Sequence, residues 1–337
     1  MRIFMHRNFS IYRKSLLVTL LIVLFTGQLF SQRIFDYGFE FSTVGTSGMN
    51  FLKIGAGARS AGLAGTGTSL VGQAENLFHN PAGIAFLSVP DISLTTNNWL
   101  SGSSQHSIAV AVPIKQIVVG LTLMNFQINE IEETTVSQPF GTGTMVTAGD
   151  LQLGLSLARR FTDKLGIGGQ IKFIQETLAE YTANNVLIDL GATYFMGWHD
   201  MRVSFVFQHF GPDIQFVDQT LRMPLVFRVG VAVDLLELDH SQLIFASELS
   251  HPIDNLEQVS FGLEYSFLNK VYARAGTSMF IGGDDALLDV DHRSTNEESV
   301  VFGIGLNIAR YIRIDYALNP HRDALGDIHY FSAGFNF

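Results

Sequence analysis

The sequence predicts an all-β fold: a transmembrane antiparallel β-barrel of about fourteen strands, with an N-terminal plug containing a short helix. Three observations carry this. The chain of 337 residues is apolar in sum, with a mean hydropathy of +0.24 and 28 phenylalanines. Only 15% of it is charged, against roughly 25% in ordinary soluble proteins. That apolarity is cut into short pieces, so that beyond the N-terminus no run approaches the ~20 residues of a spanning helix. From residue 91 onward apolar and polar residues alternate with a period of two, and no helical period appears.

Residues 1–14 carry Arg2, Arg7, Arg13 and Lys14 without an acid, and Ser15–Phe25 is an apolar stretch of signal-peptide length. We therefore expect a signal peptide over 1–31, with cleavage after Ser31. Its removal leaves 17 basic residues against 31 acidic ones, a net charge of −14, on an exported chain. No basic stripe is present to neutralise phosphates, which excludes nucleic acid as a partner. The absence of cysteine excludes disulfides and thiolate zinc sites.

Residues 32–90 differ in kind and are expected to form a plug, or hatch, inside the barrel. Met49–Leu70 is rich in glycine and alanine and nearly uncharged. Leu70, Val71, Ala74, Leu77 and Phe78 are spaced as one face of a short helix. Its end is expected near His79, since Pro81 disfavours helical geometry at Asn80. The glycine-rich run is not a dinucleotide loop, because no βαβ unit accompanies it.

The barrel is expected over 91–337. Its strands are read at 91–99, 104–114, 116–127, 146–160, 164–178, 185–197, 201–211, 222–235, 240–251, 257–268, 270–281, 297–309, 311–318 and 327–337. The clearest is Gln258–Phe267, where Val259, Phe261, Leu263, Tyr265 and Phe267 alternate with Gln258, Ser260, Gly262, Glu264 and Ser266. Strict period two puts the two sets on opposite faces of a sheet. Leu151, Leu153, Leu155 and Leu157 repeat the pattern against Asp150, Gln152, Gly154 and Ser156, and Val301–Ile308 does so again. Connections after even-numbered strands are short, while those after odd-numbered ones are mostly long, notably 128–145, 212–221, 282–296 and 319–326. Short turns on one rim and long loops on the other are the asymmetry of a barrel in the outer membrane of a Gram-negative bacterium, with outer-membrane lipid around it. In the last strand Phe331, Ala333, Phe335 and Phe337 alternate with polar or small residues. The terminal aromatics Phe337 and Phe335 resemble an outer-membrane insertion signal.

If the apolar alternates face lipid, their partners face the lumen. That set contains Asp150, Lys172, Asp189, Arg202, Arg228, Glu248, Glu264, Arg274, Arg313 and Asp315. Arg or Lys in the lipid-facing band would cost roughly 2–4 kcal/mol at mid-depth, so the charges point inward. Two uses are open for them: ion pairs that brace the wall and hold a plug, or a polar path for a solute.

The segments FLKIGAGARSAG (Phe51–Gly62) and NLFHNPAG (Asn76–Gly83) resemble the N-terminal signature of the PorV/PorQ family. That family is related to the FadL-type transporters of hydrophobic compounds, which share the Asn80-Pro81-Ala82 triplet. The resemblance covers 49–90 closely and the remainder in architecture alone. It implies a fourteen-strand barrel with an inward-folded hatch whose motif is Asn80, Pro81, Ala82 and Gly83. It also implies a role in type IX protein secretion, with a translocon or secreted cargo as protein partner. The alternative it leaves is FadL-like passive transport of a fatty acid or another apolar ligand, with Leu77, Phe78, Ile84, Phe86 and Leu87 as apolar lining near the hatch.

No His-Glu-x-x-His, nucleophile elbow or P-loop is present, so no catalytic residue, enzyme activity, cofactor or metal is expected. The acidic loop Gly282–Asp291 does not have EF-hand spacing and reads as a solvated extracellular loop.

Overall fold

The computed structural model describes residues 45–281, 299–309, 311–320 and 326–337. The expected signal peptide, residues 32–44 of the hatch and the acidic loop at 282–291 lie outside the described residues.

Among the described residues sixteen strands follow one another: β1 (Asp91–Asn98), β2 (Ser104–Ile114), β3 (Ile117–Glu132), β4 (Met145–Arg160), β5 (Leu165–Leu178), β6 (Tyr181–Phe195), β7 (Arg202–Phe210), β8 (Ile214–Phe216), β9 (Gln219–Leu221), β10 (Val226–Leu238), β11 (Ser241–Pro252), β12 (Glu257–Phe267), β13 (Val271–Ile281), β14 (Ser299–Ala309), β15 (Ile312–Asn319) and β16 (Ile328–Asn336). Fourteen of them close an antiparallel barrel, each pairing with its neighbours in sequence; β8 and β9 form a separate small hairpin between β7 and β10. Closure comes from β1 pairing with β16, in a register running from Asp91 opposite Asn336 to Asn98 opposite His329. This removes the exposed edge that a terminal Phe-rich strand would otherwise present.

The usual order of burial is inverted. Leu155, Leu190, Phe205, Phe302 and Ile304 are all half-exposed or more on the outer wall. Gln152, Ser156, Gln170, Asp189, Thr193 and Ser204 are buried inside it. A wall whose outer face is apolar and whose inner face is polar is built to sit in lipid. The apolar outer face of β3–β5 ends at Leu123, Leu151 and Phe173, and the outward positions beyond are Asn125, Gln127, Gln175 and Thr177. The hairpins therefore continue past the bilayer on the long-loop side.

The differences from the sequence reading lie at this rim and in the plug. β3 runs to Glu132 instead of ending at 127, and β6 starts at Tyr181 instead of 185. The connection after β5 is thus a tight turn on a rim of otherwise longer loops. The eighth barrel strand starts at Val226, not 222, because the hairpin β8–β9 occupies the preceding chain. No α-helix spans 70–78: Gly72 sits at φ +83°, and a 3-10 turn covers only Ala74–Phe78, with Gln73 N donating to Asn76 Oδ1 at its start. A second 3-10 turn, Pro81–Phe86, follows, capped by Asn80 with Pro81 at its first position.

Candidate functional site

The site is the barrel interior and the segment that fills it. Residues 47–86 touch inward-facing atoms all round the wall. Ser47 and Lys53 bond Asp254 at the long-loop end, and Met49 N donates to Glu176 Oε2 at 2.9 Å. Deeper in, Ala58 N donates to Ser332 Oγ (2.8 Å) and Thr68 N to Glu248 Oε2 (3.0 Å). Near the short-turn rim Ala74 N donates to Asp91 Oδ1 at 2.6 Å. Glycines in the wall admit this close approach. A Cβ at Gly276 would lie 2.6 Å from the Leu63 carbonyl carbon, and one at Gly168 2.5 Å from that of Pro81.

Asn80 is fully buried, and both its amide nitrogen and its amide oxygen are hydrogen-bonded. Its Oδ1 accepts from Ala82 N at 2.9 Å, and its Nδ2 donates to Thr68 O (2.8 Å) and to Thr193 Oγ1 of β6 (3.0 Å). Pro81, Ala82 and Gly83 are buried with it. The motif thus serves three places at once: the turn it starts, the neighbouring plug chain and the wall.

Most of the inward charges are paired. Glu264 accepts a two-pronged bond from Arg59 of the plug, at 2.9 and 2.7 Å. It also accepts from Arg274 Nε at 2.6 Å, while Arg274 Nη1 bonds Asp315 at 2.6 Å. Arg313 lies 3.5 Å from Asp315 and 3.7 Å from Asp91. Lys172 is held between Asp189 (2.7 Å) and His209 Nδ1 (2.7 Å), beside the β6–β7 register shift at Ile188/Leu190. Arg202 pairs with Asp234 at 3.0 Å, and Arg228 faces Glu248 at 3.8 Å. Asp150 stands apart: it is half-buried near the outer end of β4, directly opposite Glu176. The wall acids Asp91, Asp234 and Asp254 and the plug cations Lys53 and Arg59 were not singled out in the sequence. Asp234 and Asp91 could have been found as acids in phase with a buried stripe.

Two plug groups have shifted titration. Burial, then Arg228, lowers His79 to about 4, so the ring is neutral. Its Nε2 lies 2.8 Å from both Ala56 O and Ser60 Oγ, tying two plug turns together. Burial raises Glu75 to about 7, partly offset by Arg313. Neither carboxyl oxygen of Glu75 has a hydrogen-bond partner among the described residues.

The interior also holds a packed apolar cluster near the long-loop end. Met49, Phe51, Leu52 and Ala56 of the plug pack against inward-facing Met124 and Phe126 of β3, Ile174 of β5, and Ala183 and Leu187 of β6. Ile214 and Met223 complete it, with Phe78 and Trp99 at its edge. The apolar lining expected from Leu77, Phe78, Ile84, Phe86 and Leu87 lies elsewhere. Leu77 and Ile84 pack on Ala109, Ala111, Val118 and Ala158 of the wall, with Phe86 and Leu87 against them; Phe78 touches both clusters. Among the described residues no group of three metal-ligating side chains occurs.

These features define a plugged fourteen-strand β-barrel of the outer membrane. Its fold is the FadL-type barrel. The deltaS2S3 mutant of the monoaromatic hydrocarbon channel TodX superposes with a TM-score of 0.61 at 14% identity, over 84% of this chain and 99% of that one. The Ralstonia pickettii toluene transporter TbuX gives 0.57 at 14%, over 84% and 98%. A Pseudomonas aeruginosa FadL homologue gives 0.55 at 12%, over 84% and 98%. At such identities the likeness is one of fold. No family model and no curated protein matches the sequence.

Proposed function

We propose that this protein is a passive transporter of hydrophobic small molecules across the outer membrane. One observation carries the reading: the apolar cluster between plug and wall. The inner face of a water-filled barrel is polar, yet here Met124, Phe126, Ile174 and Leu187 point inward and are covered by the plug together with Ile214 and Met223. Methionine suits such a surface, because its unbranched thioether reshapes around different apolar guests. The barrels that share the fold are described as hydrocarbon channels and toluene transporters. They favour this reading over the type IX secretion role implied by the PorV/PorQ resemblance.

The test is native mass spectrometry of the barrel released from membranes after exposure to toluene. Retention of an apolar molecule, lost in Met124→Glu, is expected. A barrel that retains nothing apolar and instead copurifies with a secretion translocon would overturn the proposal.

A further inference from the structure

Beside the apolar cluster lies a space of different chemistry. A cavity of about 210 Å³ sits between the plug and strands β10–β16. At about 30 Å³ per water it equals roughly seven waters of liquid volume, room for a molecule of about benzoate size. Its lining is divided. Trp99, Tyr330 and Val301 offer apolar or aromatic surface, while Ser250, Ser260 and Ser278 offer hydroxyls. Three charged residues reach it: Lys53, Arg228 and Glu248. Lys53 is tied to Asp254, and Glu248 is held by Thr68 N at 3.0 Å. Arg228 is the loose member. Its Nε is buried and has no hydrogen-bond partner among the described residues, standing 3.8 Å from the nearest Glu248 oxygen. A buried guanidinium N–H without an acceptor costs more than a paired one, and a planar carboxylate is the acceptor its geometry matches best. The neutral His79 ring on the same wall adds no competing charge. Trp99 lines this cavity and also packs against the apolar cluster, so the two adjoin.

The geometry points to a binding site for a small carboxylate on an aromatic or compact apolar frame, its carboxylate on Arg228 and its ring toward Trp99 and Tyr330. This deepens the transport reading and rests on it: the cargo range extends from plain hydrocarbons to small aromatic or compact organic acids.

The chain has two tryptophans, and the second, Trp198, is exposed in the turn between β6 and β7. In Trp198→Phe, fluorescence therefore reports on Trp99 alone. The purified barrel in detergent is titrated with benzoate, benzyl alcohol and toluene. Benzoate should quench Trp99 and bind about tenfold or more tightly than benzyl alcohol. Arg228→Met should weaken benzoate by about ten- to a hundredfold, the loss of one charge-assisted pair. Ser278→Leu fills the cavity without touching a charge and should also abolish benzoate binding, which keeps the test decisive if the arginine variant does not fold. Benzoate binding unchanged in both variants overturns the inference, as does toluene binding without benzoate binding, which leaves the transport reading standing. Failure of all three probes to bind, together with no toluene uptake by cells, overturns both.

Discussion

Asn80 of the plug and Thr193 of β6 meet through a 3.0 Å hydrogen bond in which the amide Nδ2 donates to Oγ1. Thr193 in turn lies 2.9 Å from Ser204 Oγ of β7. The plug is thus joined to the wall by a buried, neutral polar chain as well as by ion pairs. Asn80→Ala would strand Ala82 N and Thr68 O and leave Thr193 with Ser204 alone. We expect a loss of about 1–3 kcal/mol, read as a lower urea midpoint in phospholipid vesicles. Asn80→Asp keeps the acceptor for Ala82 N but sets a second acceptor against Thr68 O, so it should rescue little.

Steric fit makes a separate prediction. Gly168 faces Pro81, whereas Gly169 lies on the other face of β5, where an added Cβ has no atom nearer than 3.4 Å. Gly168→Ala should displace the plug and raise both ion conductance in planar bilayers and cell sensitivity to bulky antibiotics. Gly169→Ala should change neither. Equal behaviour of the two variants would show that the plug is not seated on that wall.

Stability should fall as pH rises through the range set by Glu75. Its carboxyl titrates near 7 when folded, against an ordinary 4.5, chiefly because it is buried. Between those values the folded state holds a proton that the unfolded state has released, so unfolding becomes easier with rising pH. The shift corresponds to about 3 kcal/mol, lost between roughly pH 4.5 and 7. Glu75→Gln should flatten the difference between urea midpoints at pH 5 and pH 8. A wild-type midpoint that rises over this interval would contradict the assignment.

Arg274 bridges Glu264 and Asp315 with its side chain 1% exposed. Arg274→Met leaves both acids buried without that partner and should cost about 3–5 kcal/mol. It should also loosen Arg59, whose anchor Glu264 is shared. Increased protease cleavage within 56–66 would report that second effect.

The wall was legible in the sequence because each strand has lipid on one side and a polar interior on the other, a contrast that writes period two directly. Legibility failed where that contrast ends. Beyond Ile128 both faces of β3 meet water, so the strand continues to Glu132 with no alternation to show it. The hairpin β8–β9 has three residues in each strand, too few to show a period. The interior was half legible. Inward charges could be read from their phase, but their partners lie far away in sequence, as with Arg59 and Glu264. The apolar cluster could not be read, because inward Met124 and Phe126 sit in phase with polar Thr122 and resemble noise in the pattern. Asn80-Pro81 was visible as a turn; its three-way bonding needed the fold.

The transport reading is tested most directly by uptake of labelled toluene into intact cells lacking their own hydrocarbon channels. Cells producing this barrel should take it up faster than cells producing Phe51→Asp or Met124→Glu, with all three proteins present in the outer membrane in equal amount. Uptake equal to that of cells without the barrel, or unchanged by a charge placed in the apolar cluster, would contradict it.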